Sequence, residues 1–108
     1  MIYAKDGIDG TGVKPELILN LFLAEPAYQA LDRPMVVTSL VRPSSGLGES
    51  LHPSGLAADL RIRSIDESWP GGLWEIEDVE ALAERIRELC PQCQILVESD
   101  HIHMEYQP

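Results

Sequence analysis

The chain has 108 residues, and its 8 lysines and arginines against 18 aspartates and glutamates give a formal net charge of −10. This length is typical of a single small domain, and 44% hydrophobic with 24% charged residues is typical of a folded, soluble chain. The acidic excess argues against a nucleic-acid groove and against electrostatic docking on an anionic membrane, because both need a basic footprint.

Neither a membrane span nor a signal peptide is expected. The longest apolar stretch, 17–24, contains Asn20 and is far shorter than the roughly 20 residues that a spanning helix needs. The N-terminal residues lack a basic start followed by an apolar core.

Apolar periodicity and breaker residues predict the elements in chain order. We expect an irregular segment over 1–14, a helix from Pro15 interrupted at Pro26, a strand over 35–41, a loop over 42–50, a strand over 56–63, a loop over 64–73, a helix over 77–89, and two strands over 94–98 and 101–106. In the first helix, the apolar stripe is expected to include Leu17, Ile18, Leu21 and Phe22. This order predicts one α+β domain over 1–108, with helices packed on one face of a small, mainly antiparallel sheet.

The last two strands alternate cleanly between apolar and polar residues if Glu98 pairs with His101 across a two-residue turn. One face then carries Leu96, Glu98, His101, His103 and Glu105, and the other carries Ile95, Val97, Ile102, Met104 and Tyr106. The apolar face can pack on the helices, so the polar face is the expected position of a site. We expect Glu105 itself to be an exposed strand carboxylate.

All three histidines lie in two short segments, 50–59 and 98–105, and both segments also contain carboxylates. Histidine with carboxylate is the ligand mix of catalytic zinc. Pro53 and Gly55 predict a turn after His52 that leads into the strand carrying Asp59. His101 and His103, two apart on a strand, point the same way. Spacing alone does not favour a metal site over ordinary surface histidines.

The segment from Ser50 to Asp59, SLHPSGLAAD, resembles the SxHxxGxAxD motif of the zinc D-alanyl-D-alanine carboxypeptidases and related peptidoglycan peptidases. That family shares its fold with the hedgehog signalling domain. The later HIH at 101–103 resembles the corresponding segment, and VTSLVRP at 37–43 resembles the family strand that ends in a substrate-facing arginine. The resemblance extends loosely from the first helix to Tyr106.

The resemblance implies a zinc ion held by His52, Asp59 and His103, in a cleft on the face of the sheet opposite the helices. It implies that His101 supports these ligands or lines the cleft, and that Ser50 forms a hydrogen bond near the site.

For the substrate, the resemblance implies that Arg42 pairs with a carboxylate of the peptide. A carboxylate must also take a proton from the attacking water and pass it to the leaving amine. Bacterial relatives place this acid three residues before the last histidine ligand, which is Asp100 here, whereas hedgehog-like chains place a glutamate further back, which fits Glu98. The register favours Asp100, and both remain candidates.

The implied function is a zinc peptidase that hydrolyses peptidoglycan stem peptides, as a D-alanyl-D-alanine carboxypeptidase or an L-alanyl-D-glutamate-type endopeptidase. We expect a monomer, either cytoplasmic or encoded by a phage and released at lysis. The alternative is a non-catalytic zinc-binding interaction module of the same fold.

Two further pairs of residues have weaker interpretations. Cys90 and Cys93 follow the 77–89 helix and are expected to be structural rather than zinc ligands. Trp69 and Trp74 flank a Pro-Gly-Gly turn and are expected to anchor that loop in the core, with walls of the cleft as the alternative.

Overall fold

A computed structural model describes residues 2–8, 10, 12–40, 55–63 and 72–107. The elements in these ranges are β1 (Ile2–Ala4), α1 (Pro15–Ala30), β2 (Met35–Ser39), β3 (Ala57–Arg61), α2 (Ile76–Leu89), β4 (Cys93–Val97) and β5 (His101–Tyr106). The strands form one sheet in the order β1-β2-β3-β5-β4, in which β1 pairs with β2 in parallel and the other pairs are antiparallel. The predicted α+β class and the mainly antiparallel sheet are confirmed.

Strand alternation divides the sheet into two faces. Residues of one face belong to the same buried cluster as the apolar sides of both helices: Met35 and Val37 of β2, Ala58 and Leu60 of β3, Ile95 of β4, and Ile102 and Met104 of β5. The pairs Leu60–Ile102 and Ile95–Met104 stand directly opposite each other. The helices therefore cover this face, and the alternate residues of the same strands point the other way.

The helix α2 forms where the sequence predicts a helix, and it begins at Ile76, one residue before the expected start. Its buried residues, Val79, Leu82, Ala83 and Ile86, recur at the three- and four-residue spacing that places them on one side. Glu77 and Asp78 lie in the first turn, where negative charge stabilises the helix dipole.

The helix α1 continues through Pro26, so the predicted interruption is wrong. A proline inside a helix removes one backbone hydrogen bond and costs about 3 kcal/mol. Leu17, Ala24 and Tyr28 are fully buried on both sides of the proline, and their packing offsets that cost. The predicted stripe is also partly wrong, because Ile18 and Phe22 are exposed.

The strand β1 lies in the segment that the sequence predicts to be irregular, so that prediction is wrong for residues 2–4. Three residues are too few to show an alternating pattern, and the strand exists because Ile2 to Ala4 pair with 35–37 in register. The backbone N–H of Lys5 extends the pairing by donating to the carbonyl oxygen of Val37 over 2.9 Å.

The other expected strands are present with small shifts at their ends. The hairpin forms as predicted, with the backbone N–H of Glu98 donating to the carbonyl oxygen of His101 over 2.8 Å. Trp74 is 8% exposed and meets the Tyr28 ring edge to face at 6.0 Å, so its expected position in the core is confirmed. The predicted loop at 42–50 and Trp69 lie outside the described residues.

The cysteines lie at the end of α2 and the start of β4. The thiol of Cys90 is fully buried and donates to the carbonyl oxygen of Asn20 over 3.3 Å. A hydrogen bond between the two cysteines lowers the pKa of Cys90 and raises the pKa of Cys93. Among the described residues, no helix has the length and apolar run needed to cross a membrane.

Candidate metal centre

The pairing of β3 with β5 builds a polar cluster on the face that the helices leave uncovered. Asp59 stands directly opposite His103, and Arg61 stands directly opposite His101. Side chains two residues apart on a strand point the same way, so these four share one face. Glu105 follows on the same face, opposite Ala57.

Asp59, His101 and His103 each offer one ligand atom, and these atoms all lie within 4.8 Å of one another. One carboxylate oxygen, Oδ1 of Asp59, lies 3.2 Å from Nδ1 of His103 and 3.4 Å from Nε2 of His101. The side chains are 10%, 12% and 27% exposed for Asp59, His103 and His101 respectively, so the cluster is largely shielded while His101 faces the opening.

Each histidine contacts a second carboxylate through its other ring nitrogen. Nε2 of His103 lies 3.1 Å from Oε1 of Glu105, and Nδ1 of His101 lies 2.7 Å from Oδ1 of Asp100. A carboxylate that accepts the N–H of one ring nitrogen leaves the lone pair of the other nitrogen free to bind. Both rings are therefore oriented so that their cluster-facing nitrogens can act as ligands.

The pKa of His103 is raised above its ordinary value. The hydrogen bond with Asp59 is the largest cause, and the hydrogen bond with Glu105 and the charges of both carboxylates add to it, while burial opposes it. Acceptors on both ring nitrogens favour the doubly protonated ring. A proton and a metal ion therefore compete for Nδ1 of His103.

The residues Asp59, His101 and His103 could hold a metal ion. Zinc bonds to nitrogen and oxygen are about 2.0–2.2 Å long, so two ligand atoms on a tetrahedral ion stand about 3.4 Å apart. The separations from Asp59 Oδ1, 3.2 and 3.4 Å, are compatible with that spacing as well as with hydrogen bonds in the metal-free site. Two imidazoles and a carboxylate are also the donor types that zinc prefers.

A cavity of about 370 Å³ opens beside the cluster. Its lining is Lys5, Thr38, Ser39, Asp59, Arg61, Arg63, Asp100 and His101. The backbone register slips between Val37 and Ser39, and such an irregularity re-aims side chains at the rim of a site. The pKa of Arg61 is lowered, mainly by burial and to a smaller extent by the charge of Arg63.

The structure brings together part of the predicted site. Asp59 and His103, the predicted ligands that are described, stand face to face, and His101 belongs to the same cluster rather than only supporting it. Asp100 contacts His101 and lines the cavity, whereas Glu98 is exposed at the hairpin and is absent from the lining. The predicted residues His52, Arg42 and Ser50 lie outside the described residues.

The turn before β3 depends on a glycine. Gly55 has a φ of +81°, a conformation that other residues rarely adopt. A Cβ atom at this position would also clash with the carbonyl oxygen of Gly12. The carbonyl oxygen of Gly55 accepts a hydrogen bond from the backbone N–H of Lys14 over 3.0 Å, which fixes β3 against the start of α1.

Two residues of the site differ from expectation. Glu105 is 7% exposed and contacts His103, so its prediction as an exposed carboxylate is wrong. The reason is that Glu105 lies on a central strand, between β3 and β4, and that the side chains of His103 and Gln107 contact its carboxylate. Arg61 was not predicted at all, although its two-residue spacing from Asp59 on one strand was a signal that could have found it.

Comparisons of the chain with protein-family models, with curated proteins and with solved structures give no match. Any function assigned to this chain therefore depends on the chemistry and geometry of its own residues.

Proposed function

We propose that this protein is a zinc-dependent peptidase that hydrolyses the stem peptides of peptidoglycan. One observation carries the proposal: two histidines and an aspartate converge at metal-ligand spacing, and each histidine is oriented by a second carboxylate on its far nitrogen. The SxHxxGxAxD resemblance around Asp59 supports both the metal and the class of substrate.

Asp59 and His103 are the two zinc ligands that the geometry and the resemblance have in common. The third is His52, as the resemblance implies, or His101, whose Nε2 lies 3.4 Å from Asp59 Oδ1. When bound, zinc polarises a carbonyl group and lowers the pKa of water, which is the chemistry that amide hydrolysis needs at neutral pH.

Glu105 holds His103 in the tautomer that can bind metal. In the neutral ring with its proton on Nε2, that proton is donated to Oε1 of Glu105, and the lone pair of Nδ1 is left for a metal ion. Burial of Glu105 strengthens this hydrogen bond, because little water competes for either partner.

Asp100 is the residue that moves the proton. It lines the cavity beside the cluster, so its carboxylate can accept a proton from the attacking water and pass it to the nitrogen of the leaving amine. Water adds to the carbonyl carbon and the C–N bond of the amide breaks. One product carries the new carboxylate, and the other leaves as the amine. Glu98, which does not line the cavity, is the second candidate for this role.

The experiment is digestion of purified peptidoglycan with the zinc-loaded protein, with the chelator-treated protein and with Asp59→Ala, followed by mass spectrometry of the fragments. We expect new stem-peptide fragments only from the zinc-loaded wild type. The masses identify the cleaved bond. Fragments that persist after removal of the metal contradict the zinc mechanism, and a zinc-loaded protein that cleaves nothing contradicts the peptidase.

The second candidate function is a non-catalytic zinc-binding module. It is favoured by the 2.7 Å contact between Asp100 and His101, because this contact commits one carboxylate oxygen of Asp100 to orienting the imidazole. The two functions differ in one measurement: the module binds zinc with the same ligands but produces no fragments at any zinc concentration.

A further inference from the structure

The two cysteines of the chain lie at the two ends of one tight turn. Cys90 follows the last residue of α2, and Cys93 is the first residue of β4. The backbone N–H of Cys93 donates to the carbonyl oxygen of Cys90 over 3.0 Å, which closes a β-turn whose end Cα atoms lie within about 7 Å. A disulfide needs Cα atoms about 4.4–6.8 Å apart, so the turn holds the two cysteines near the span of a disulfide.

Backbone hydrogen bonds fix this turn on both sides. The N–H of Cys90 donates to the carbonyl oxygen of Ile86 over 2.8 Å, at the end of α2. The N–H of Gln107, just after β5, donates to the carbonyl oxygen of Gln92 over 3.0 Å. Pro91 occupies the second position of the turn, where its fixed φ is already the one required. The two cysteines therefore meet without a large rearrangement of the backbone.

The two thiol groups contact each other across this turn. They share a hydrogen bond that lowers the pKa of Cys90 and raises the pKa of Cys93, so the S–H of Cys93 is the donor. The S–H of Cys90 donates to the carbonyl oxygen of Asn20 over 3.3 Å. Cys90 is fully buried, whereas Cys93 is partly exposed. A small molecule can therefore reach the pair only from the side of Cys93.

We propose that Cys90 and Cys93 form a reversible redox site, at which a small disulfide such as oxidised glutathione converts the two thiols into an intramolecular disulfide. Exposure assigns the roles of the two residues. Cys93 reacts with the incoming disulfide, and the buried Cys90 resolves the intermediate. The inference rests on the turn between α2 and β4 and does not depend on the metal centre or on the proposed function.

The exchange takes place in two balanced steps. First, the sulfur of Cys93 bonds to one sulfur of the small disulfide, whose S–S bond breaks, and the proton of Cys93 leaves with the released thiol. Second, the sulfur of Cys90 bonds to the sulfur of Cys93, the mixed S–S bond breaks, and the proton of Cys90 leaves with the second thiol. Two protein thiols are oxidised, and one small disulfide is reduced to two thiols.

The test incubates the folded, zinc-loaded protein with an excess of oxidised glutathione, blocks the remaining thiols by alkylation and measures the intact mass. We expect a product that is two hydrogen atoms lighter than the reduced protein, with no glutathione and no alkyl group attached. Added dithiothreitol should restore both thiols. Wild-type thiols that stay free, or a glutathione that stays attached to the wild type, would overturn the proposal.

Two matched variants test the roles of the two residues. Cys90→Ser should stop at the mixed disulfide on Cys93, because the resolving thiol is missing. Cys93→Ser should remain unmodified in the folded state and react only in urea, because Cys90 is fully buried. Rapid modification of the folded Cys93→Ser variant would contradict these roles.

An equilibrium measurement on the wild type keeps the proposal testable if Cys90→Ser does not fold. The oxidised fraction is measured at several concentrations of oxidised and reduced glutathione. For an intramolecular disulfide, the ratio of oxidised to reduced protein should fall with the square of the reduced glutathione concentration, because two thiols are released. A first-power dependence, as for a mixed disulfide, or a dependence on protein concentration, as for a disulfide between chains, would overturn the proposal.

Discussion

The two faces of the sheet are built from the same strands, but they have opposite chemistry. Leu60, Ile102 and Met104 are fully buried against the helices, while their neighbours Asp59 and Glu105 are each 7% exposed on the other face. Burial of the apolar side chains stabilises the fold by roughly 25 cal/mol per Å², whereas burial of carboxylates costs free energy unless each is paired. The difference indicates that the first face maintains the fold and the second maintains a site.

The largest effect that we expect on the polar face is on catalysis rather than on folding. Asp100→Asn should lower the rate of hydrolysis about 10²- to 10⁴-fold, because proton transfer by a positioned group contributes that much. Because Asp100 contacts His101, the alternative third ligand, the rate is measured at saturating zinc, where the variant should still be loaded with the metal. Glu98→Gln is the matched control and should retain the wild-type rate in assays on wall fragments.

A wild-type rate in Asp100→Asn together with a reduced rate in Glu98→Gln would assign the proton transfer to Glu98. Full activity in both would show that neither carboxylate transfers the proton, and the mechanism would be wrong.

On the apolar face, Leu60→Ala should reduce the free energy of unfolding by about 2–5 kcal/mol, because it leaves a cavity in a fully buried position. Urea denaturation of the zinc-free protein measures this free energy of unfolding. Asp59→Ala, one residue away on the other face, should change the zinc-free stability much less and abolish zinc binding. Equal losses of stability in the two variants would contradict the division between the faces.

A smaller effect is expected where the polar face orients its own ligand. Glu105→Gln should weaken zinc binding about 10- to 100-fold, the usual consequence of losing the carboxylate behind a ligating histidine. Glu84→Gln, which removes an exposed partner of Arg87 on α2, is the control. Competition with a chromophoric chelator gives both affinities, and identical values would argue against an orienting role for Glu105.

The smallest expected effect is on the pH dependence of stability. The stability of the zinc-free protein should fall as the pH rises, whereas the stabilisation by zinc should increase. The pKa of His103 is raised in the folded state, so its proton contributes stability below its ordinary pKa of 6.5, and that contribution is lost as pH rises through the folded-state pKa. Zinc binds the neutral ring, so the increase in melting temperature on adding zinc should become larger as the pH rises.

Melting temperatures of the zinc-free and zinc-loaded protein at about pH 6 and about pH 8 measure both slopes. His103→Gln should remove the component due to this residue. A zinc-dependent gain that shrinks as the pH rises would contradict ligation by His103.

The sequence predicted best those parts of the molecule where local pattern and tertiary packing agree. Helix α2 and the β4–β5 hairpin show strong periodicity of 3.6 and 2 residues, and both form within one residue of the expected ends. The alternation in the hairpin also placed His101, His103 and Glu105 on one face.

The errors arise where long-range contacts decide the outcome. Pro26 lies within α1 because packing on both sides outweighs a local penalty, and β1 exists only through its pairing with β2. The burial of Glu105 depends on its contacts with His103 and Gln107, and the cationic lining of the cavity depends on Lys5, which follows β1, lining the same cavity as Arg61 and Arg63. The packing around Pro26 and the pairing of β1 have no local signature in the sequence, whereas Arg61 had one in its two-residue spacing from Asp59.

The most direct test of the metal centre is elemental analysis of protein purified without chelator, for the wild type and for Asp59→Ala, His103→Ala, His52→Ala and His101→Ala. We predict one zinc per wild-type chain, loss of the metal in the first two variants, and loss in whichever of the last two removes the third ligand. A wild-type zinc content near zero that added zinc cannot restore, or full zinc content in Asp59→Ala and His103→Ala, would contradict the account.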